Sequence, residues 1–309
     1  MNYLYKSMVL EGDRSATASF SSSGTKRTIV PAKLLTVPTR GCARSGAMPM
    51  ENSWLIIVAL LFAGTVVDIC VRGLLWRRTG TAEGGTGGDA PNGWRRVLLV
   101  IAHPDDETMF FGPTIQALSR ARVETHLVCL SNGDADGLGE VRTKELEAVG
   151  ATLGLRSVEV VSDPRVRDGF EERWPEEAIA SHVDVAAKRV NADVVLTFDS
   201  KGVSGHPNHV ATYRGVLFYL LNWVGRAGAA SPPPRVWVLV SINPLRKYFG
   251  FINRAFALFE THALVKASDP AELVRAMRLH ASQWVWYRKL FMRFSQFSYV
   301  NSLCEISTG

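Results

Sequence analysis

Hydrophobic positions from residue 94 onward follow two alternating patterns. Short runs rich in β-branched and other apolar residues, typical of buried strands, occupy residues 96–101, 124–130, 157–161, 193–198 and 235–242. Apolar residues at helical spacing lie between those runs, over residues 107–122, 140–154, 175–191 and 207–225. Continuous apolar strands that alternate with helices predict an α/β fold, here a Rossmann-like, mostly parallel sheet with helices on both faces.

A longer apolar segment lies upstream of this domain, over residues 54–76. Its apolar stretch is unbroken from Trp54 to Val67, and a helix over all 23 residues would reach roughly 34 Å, enough to span a bilayer. Asp68 and Arg72 lie near one end, four residues apart, where they can pair or reach the headgroups. The segment predicts one N-terminal transmembrane helix, with a signal peptide or a buried helix as the alternatives.

The segments on either side of this predicted anchor differ in composition. Residues 1–50 are rich in Ser, Thr, Lys and Arg, which predicts either a disordered leader or an extension upstream of a start at Met48 or Met50. Residues 77–93 are rich in glycine and predict a flexible linker. The remaining residues, 94–309, form the predicted catalytic domain.

Charge and cysteine content argue against a nucleic-acid-binding protein and against a protein held together by disulfides or thiolate-bound metal. The net charge is +6, but residues 1–50 hold seven Lys and Arg against two acids and so supply +5 of it. The central region has no basic stripe interleaved with aromatic residues, so we expect no nucleic-acid partner. The four cysteines are far apart and show no CxxC spacing, so they suggest neither a disulfide framework nor a thiolate metal site, which fits a reducing compartment.

Polar residues concentrate directly after two of the predicted strands. The segment "AHPDDE", residues 102–107, follows the first strand, and "DSKGVSGHPNHVATY", residues 199–213, follows the fourth. In sheets of this kind, ligands bind outside the carboxyl ends of the strands, where the strand order reverses. We therefore expect both segments to contribute to one site.

The histidine and acid spacing within these segments suggests a metal site. His103 and Asp106 are three residues apart, as are His206 and His209. Imidazole and carboxylate ligands suit Zn²⁺ and similar ions, and three of them leave a position open for water. The alternative is that the histidines are structural and the acids only stabilise a helix start. For Glu107 that structural role is the favoured one, with support of the metal ligands as the competitor.

These residues resemble a known family. "AHPDDE" with "GHPNH" is similar to the LmbE-like metal-dependent de-N-acetylases of N-acetylglucosamine conjugates, over about residues 95–303. Four segments look like the family's eukaryotic PIG-L branch, the N-acetylglucosaminyl-phosphatidylinositol de-N-acetylases of glycosylphosphatidylinositol (GPI) anchor synthesis: "AHPDDETMFFGPT", "TFDSKGVSGHPNH", "SINPLRKY" and "WYRKLFMRFSQFSYVNSL". Residues 1–47 have no counterpart in that branch.

The resemblance implies a role for each residue of the two segments. His103, Asp106 and His209 become the metal ligands, and the metal is a divalent ion, with Zn²⁺ ahead of manganese, iron or nickel. Asp105 becomes the general base, and His206 stabilises the oxyanion or protonates the leaving amine. Amide hydrolysis needs this division of work, because neutral water is a weak nucleophile and an amine is a poor leaving group.

The resemblance also implies two substrate contacts. Arg142, in "GEVRTKEL", would bind phosphate or sugar oxygens of the substrate. The alternative to this role is that Arg142 lies on the helix surface and pairs with Glu145 or Glu147. Asp168, in "VRDGF", would hold sugar hydroxyls, although its loop spacing departs from the family pattern.

The reaction implied is hydrolysis of the N-acetyl group of N-acetylglucosaminyl-phosphatidylinositol, a membrane lipid, giving glucosaminyl-phosphatidylinositol and acetate. The alternatives are a deacetylase of a soluble N-acetylglucosaminyl conjugate and a non-catalytic membrane scaffold. The apolar segment argues against the first, and the intact acids and histidines argue against the second. The sequence leaves protein partners undetermined.

The resemblance further implies the endoplasmic reticulum membrane, with a single span and a cytosolic catalytic domain. Residues 54–76 match that plan. If translation begins at Met48 or Met50, no basic residue precedes the span, whereas Arg77 and Arg78 follow it. The positive-inside rule then gives the same orientation.

The C-terminal region has a composition of its own. Residues 249–265 and 284–299 mix aromatic and basic residues, and residues 243–309 hold nine basic side chains against four acids. This mixture suits contact with an anionic membrane surface. The alternative is a pair of ordinary amphipathic helices that close the domain.

Overall fold

The structure is a computed structural model that describes residues 93–224, 233–243, 247 and 263–306. The predicted leader, anchor and nearly all of the linker lie outside the described residues, as do residues 249–262 of the first predicted C-terminal helix. Within the part of the chain that is described, no helix is both long enough and apolar enough to cross a bilayer.

A mixed seven-stranded sheet forms the centre of the described domain, in the order β3-β2-β1-β4-β5-β7-β6. Its strands are β1 (Arg96–Ile101), β2 (Glu124–Cys129), β3 (Ser157–Val160), β4 (Val194–Phe198), β5 (Arg235–Leu239), β6 (Ala263–Lys266) and β7 (Val300–Ile306). The first five strands pair in parallel, whereas β7 pairs antiparallel with both β5 and β6. The predicted α/β fold and its five parallel strands are confirmed.

Seven helices accompany the described sheet: α1 (Asp106–Met109), α2 (Gly112–Arg120), α3 (Gly139–Thr152), α4 (Glu176–Val190), α5 (Pro207–Val224), α6 (Pro270–Leu279) and α7 (Trp286–Phe294). Shorter helical turns lie at Asp134–Asp136, Gly202–Gly205, Ala281–Gln283 and Gln296–Ser298. Helices α4 and α5 pack on each other and on β1, and α3 packs on α6. Right-handed crossovers place the helices that follow β1 and β2 on the face opposite those that follow β3 and β4.

Three sequence expectations need correction. The predicted helix 107–122 is two helices, because α2 begins afresh at Gly112 with a proline in its first turn. The predicted helix 284–299 ends at Phe294, followed by a turn and the strand β7. Residues 263–265, expected in a helix, belong to strand β6.

Strand β7 lacks the continuous apolar pattern of the other buried strands. Its Asn301 is fully buried, and its side chain accepts hydrogen bonds from the backbone N–H (3.2 Å) and Oγ1 (2.7 Å) of Thr114. The Asn301 amide also donates to the Phe110 carbonyl oxygen (2.8 Å). The hydrogen-bond partners of this buried side chain are distant in sequence. The periodicity of hydrophobic residues along the chain therefore could not reveal them.

The strand order places the two predicted segments together. Strand β1, whose residues from Val97 to Ile101 are completely buried, lies between β2 and β4. The chain leaves β1 toward β2 on one side and later returns on the other, so the order reverses between β1 and β4. The carboxyl ends of these two strands therefore open onto one crevice.

Candidate active site

Asp105 lies in the tight turn between β1 and α1, and Asp106 is the first residue of α1. Asp105 immediately precedes α1 with φ 111°, a backbone conformation that residues other than glycine rarely adopt. Its buried N–H donates a hydrogen bond to Oε2 of Glu107 (3.1 Å), which helps to hold that conformation. Strain of this kind costs about 1–3 kcal/mol and clusters at functional sites. The turn therefore fixes the angle at which the Asp105 carboxylate leaves the chain.

Asp106 is oriented by the backbone of the same turn. One carboxylate oxygen, Oδ2, accepts hydrogen bonds from the N–H groups of Ala102 (3.1 Å) and His103 (2.8 Å). The other, Oδ1, lies 3.2 Å from Nε2 of His209. Burial alone would raise the pKa of Asp106, but His209, His103 and the backbone donor hold it well below its usual range. Asp106 is therefore an ionised carboxylate with one oxygen left for the crevice.

The second turn, after β4, is strained in a similar way. Gly202 has φ 55°, and a Cβ there would lie 2.9 Å from Cβ of His209, so glycine is required. Val203 follows with φ 61°, which is rare for a β-branched residue. Its N–H donates to Oγ of Ser241 (2.8 Å), and Ser241 in turn donates from Oγ to Asp199 (2.6 Å). Two neighbouring strand ends thus hold the turn that presents the histidines.

A cluster of three histidines faces the crevice. One ring nitrogen from each of His103, His206 and His209 lies within 4.8 Å of the other two. Nε2 of His103 and Nε2 of His209 are buried and make no well-formed hydrogen bond to the described protein. Nδ1 of His209 lies 3.2 Å from the Gly202 carbonyl oxygen, and the ring stacks on Phe198 at 4.2 Å. A histidine fixed through Nδ1 with Nε2 facing a cluster is the usual arrangement of a metal ligand.

His206 occupies the outer side of this cluster. Its ring centroid is 4.6 Å from that of Phe170, and its Nδ1 accepts a hydrogen bond from the N–H of Asn208 (3.3 Å). Burial, together with the charges of His103 and His209, lowers the pKa of His206 to about 3. The neutral ring therefore carries its proton on Nε2, which makes it a hydrogen-bond donor.

Arg142 lies inside the site and not on the helix surface. It is 7% exposed, and its guanidinium donates to the carbonyl oxygens of Pro104 (2.6 Å) and Gly133 (2.9 Å). The same group is 3.8 Å from Asp105 and 3.7 Å from Asp168. The alternative pairing with Glu145 or Glu147 is wrong, since Glu145 instead accepts hydrogen bonds from Ser282.

Asp168 and Glu107 take different places in the site. Asp168 reaches the cluster, with Oδ1 3.0 Å from Nε2 of His103 and Oδ2 near Arg142. Glu107 is fully buried behind the turn, where it accepts the hydrogen bond from the backbone of Asp105 and is not one of the residues that contact the cluster of three histidines. A role for Asp168 toward sugar hydroxyls and a supporting role for Glu107 stay predictions.

Two residues of the C-terminal region join the site without having been predicted. Arg288, on α7, places its guanidinium 2.8 Å from Oδ2 of Asp105, and His280 lies 2.7 Å from Oε1 of Glu107. Burial would lower the pKa of Arg288, but Asp105 raises it. The signal available for Arg288 was a basic residue within an aromatic segment, which suggested a membrane surface. His280 gave no signal because one isolated histidine matches no motif.

The site thus contains seven of the eight sequence-predicted residues around one crevice, with Glu107 behind it. Those seven are His103, Asp105, Asp106, Arg142, Asp168, His206 and His209. This arrangement offers a ring-nitrogen and carboxylate pocket for a cation, a carboxylate beside that pocket, and a neutral imidazole donor opposite. Together, these groups have the chemistry needed for hydrolysis of an amide.

Comparison with known proteins gives the same family. Residues 98–220 match the PIG-L family model, described as GlcNAc-PI de-N-acetylase. The N-acetylglucosaminyl-phosphatidylinositol de-N-acetylase of Bos taurus is 36% identical over 249 residues, which cover 76% of this chain and 94% of the relative. The enzyme of that name from Saccharomyces cerevisiae is 33% identical over 244 residues, covering 66% of this chain and 79% of the relative.

A solved structure shares the fold. N,N'-diacetylchitobiose deacetylase from Pyrococcus horikoshii superposes with a TM-score of 0.52 at 20% identity, over 69% of this chain and 84% of that one. The resemblance drawn from "AHPDDE" and "GHPNH" is therefore confirmed, both in sequence and in fold. The chain belongs to the PIG-L family, the N-acetylglucosaminyl-phosphatidylinositol de-N-acetylases, and is a deacetylase.

Proposed function

We propose that the protein removes the N-acetyl group of N-acetylglucosaminyl-phosphatidylinositol by metal-dependent hydrolysis, releasing acetate and glucosaminyl-phosphatidylinositol. The observation that carries this proposal is the buried histidine cluster at the reversal of strand order, with the Asp105 carboxylate beside it. The names of the relatives in the same family support the choice of substrate and of GPI-anchor synthesis.

The residues present fit a divalent metal ion. Asp106 is ionised, and the buried Nε2 atoms of His103 and His209 lie 3.0 Å and 3.2 Å from carboxylate oxygens of Asp168 and Asp106 without a well-aligned hydrogen bond. These three side chains would hold the ion, and their nitrogen and oxygen donors suit Zn²⁺. When bound, such an ion polarises the acetyl carbonyl and lowers the pKa of water.

Asp105 is the general base of the proposed reaction. Its carboxylate is buried between the guanidinium groups of Arg142 and Arg288, so it has a fixed position beside Asp106. It takes a proton from the attacking water as the water oxygen bonds to the acetyl carbon. It then returns the proton to the amine nitrogen as the carbon–nitrogen bond breaks, so that Asp105 ends in its starting state, and the acetic acid formed loses its remaining proton to the solvent to give acetate.

His206 stabilises the negative charge that develops on the acetyl oxygen. The hydrogen bond from Asn208 to Nδ1 leaves Nε2–H as the free donor of the neutral ring. A preorganised donor of this kind contributes most when it faces charge that appears only in the transition state. Of the two roles that the sequence left open for His206, this geometry favours the oxyanion donor.

We further propose that the protein is anchored in the endoplasmic reticulum membrane with its catalytic domain in the cytosol. The apolar segment over residues 54–76 and the arginines that follow it support this location. Protease treatment of sealed microsomes tests the orientation: a tag at Gly309 should be digested, whereas a protected tag would contradict it.

A deacetylation assay tests the proposed reaction. Membranes that contain the full chain should release labelled acetate from N-acetylglucosaminyl-phosphatidylinositol, and Asp105→Asn should abolish the release. Asp136→Asn, which changes an exposed acid on a nearby turn, is the matched control and should leave the rate unchanged. Full activity of the Asp105 variant would refute the mechanism, and activity only on a soluble conjugate would refute the lipid substrate.

A further inference from the structure

Helix α7 exposes a continuous stripe of apolar and basic side chains. Trp286, Leu290 and Phe294 are 71%, 46% and 37% exposed, and Lys289 and Arg293 are exposed between them. These five residues, here called the α7 stripe, have the spacing i, i+3, i+4, i+7 and i+8, which places them on one side of a helix. The opposite side is buried through Phe291 and Met292.

The stripe is unusual among the surfaces of the described domain. Eight large hydrophobic side chains are exposed among the described residues, and three of them lie on this nine-residue helix. Singly exposed residues such as Val141 and Val185 need no explanation, but three neighbours on one helix face form a patch. The patch therefore requires an occupant.

The charge of the residues around the stripe indicates what kind of surface it contacts. Between Leu273 and Cys304 the sequence has five Arg and Lys and no Asp or Glu. Two of those five basic residues, Lys289 and Arg293, are themselves part of the stripe. Apolar side chains that insert between basic ones match an anionic lipid surface, where the former enter the acyl boundary and the latter meet phosphates.

The position of the stripe relative to the site supports the same occupant. Arg288 leaves α7 on the side away from the stripe and contacts Asp105 at 2.8 Å. The catalytic carboxylate is therefore separated from the stripe by little more than the thickness of one helix, about 10–12 Å with side chains. A bilayer in contact with the stripe would therefore lie near the site.

We propose that the α7 stripe docks on an anionic bilayer surface and thereby holds the active site close to the membrane. The proposal rests on the proposed function in one respect: a lipid substrate lies in the membrane, so the catalytic domain must approach the membrane to reach it. It adds a second membrane contact, made by the catalytic domain itself.

A fluorescence experiment tests docking without measuring activity. In the full chain with Cys42, Cys70 and Cys304 changed to Ser, an environment-sensitive dye is attached at Leu290→Cys. The chain is reconstituted into vesicles of phosphatidylcholine with or without phosphatidylserine. The matched control places the dye at Val185→Cys, a 60% exposed position on α4.

We expect spin-labelled lipids to quench the dye at position 290 but not at position 185, and more strongly when phosphatidylserine is present. Lys289→Gln with Arg293→Gln should reduce the equilibrium constant for docking of the stripe, read from the lipid quenching at position 290, by about fivefold per residue on the anionic vesicles. Equal exposure of both dyes to an aqueous quencher would overturn the proposal. So would a dye at 290 that is shielded from water but not quenched by the lipids, because that result would assign the stripe to a protein contact or to the chain's own N-terminal segment.

An activity comparison separates this proposal from the proposed function. Trp286→Ser with Leu290→Ser should slow deacetylation of the lipid substrate in vesicles at least severalfold, and should leave unchanged the rate on its water-soluble headgroup without acyl chains. Val185→Ser should change neither rate. A wild-type chain inactive on both substrates would refute the proposed function while the fluorescence result stands, and equal rates for the stripe variant and wild type in vesicles would refute docking.

Discussion

At the scale of single residues, the site depends on strained backbone and on paired charges. Asp105 and Val203 hold positive φ angles at the ends of two different strands, and each belongs to a turn that presents a group of the site. Asp105 is also contacted by two arginines from distant parts of the chain. For the general base that we propose Asp105 to be, such contacts set the orientation of the carboxylate during folding and not during the reaction.

Arg288→Ala should lower kcat about 10–100-fold, the usual effect of removing a partner that orients a catalytic group. Arg288→Lys should restore part of the rate, because an ammonium keeps the charge but lacks the planar fork of a guanidinium. The measurement is steady-state kinetics in detergent micelles, which removes the influence of membrane docking. Arg275→Ala, an exposed arginine on α6, is the control, and a kcat equal to that control would contradict a positioning role for Arg288.

At the scale of elements, the C-terminal helices complete a site that the first part of the sheet begins. Helix α6 ends at Leu279, so that the following His280 reaches Glu107 in the turn after β1, and α7 brings Arg288 to Asp105. These contacts join residues more than 170 positions apart. The C-terminal region is thus part of the active-site structure as well as the closing layer of the domain.

His280→Ala should lower the free energy of unfolding by about 3–5 kcal/mol, because it leaves the carboxylate of Glu107 buried without its ionic partner. The free energy of unfolding is measured with denaturant, and His126→Ala, which changes a half-buried histidine in β2, is the control. A loss no larger than that of the control would show that the pair contributes little.

The same pair predicts a pH dependence of stability. Burial would raise the pKa of Glu107 and lower that of His280, but their mutual attraction lowers the former and raises the latter. The contribution of Glu107 is therefore lost as the pH falls below 4.5, and that of His280 is lost as the pH rises above 6.5. The difference in stability between wild type and His280→Ala should be greatest between these values.

At the scale of the whole molecule, the reversal of strand order decides where the chemistry occurs. The polar segments after β1 and β4 lie about a hundred residues apart in sequence, and only the parallel sheet brings them together. A ligand that bridges the two segments should therefore stabilise the folded domain as a unit.

Added Zn²⁺ at a hundredfold excess over its dissociation constant should stabilise the folded state by about 2.7 kcal/mol, which for a domain of this size raises Tm by roughly 5–10 °C. His209→Ala should remove most of that rise. His182→Ala, which changes a histidine paired with Asp163 outside the cluster, should not. Thermal unfolding in detergent, after removal of bound metal with a chelator, provides the measurement. An equal rise in both variants would place the ion elsewhere.

Much of the fold could be read from periodicity, because a strand buried on both faces must be apolar throughout. Strands β1 and β4 come closest to this type, and the predicted positions of β1 to β5 agree with the structure to within a few residues. Strand β7 was missed because it contains Asn301 and Ser302, whose burial depends on partners elsewhere in the fold. Strand β6 was missed because its four residues follow a segment with the composition of an amphipathic helix. The anchor, leader and linker stay predictions, since they lie outside the described residues.

The sequence by itself determined the family and the positions of the candidate site residues, because amide hydrolysis calls for histidines and acids, and these occur at short spacing directly after strands. Only the tertiary structure decided which other side chains contact these residues. The contacts of Arg142 and Arg288 with Asp105, the burial of Glu107 against His280 and the neutral tautomer of His206 all depend on side chains that meet through the sheet. Local patterns encode spacing along the chain, whereas charge pairing and burial depend on distances in space.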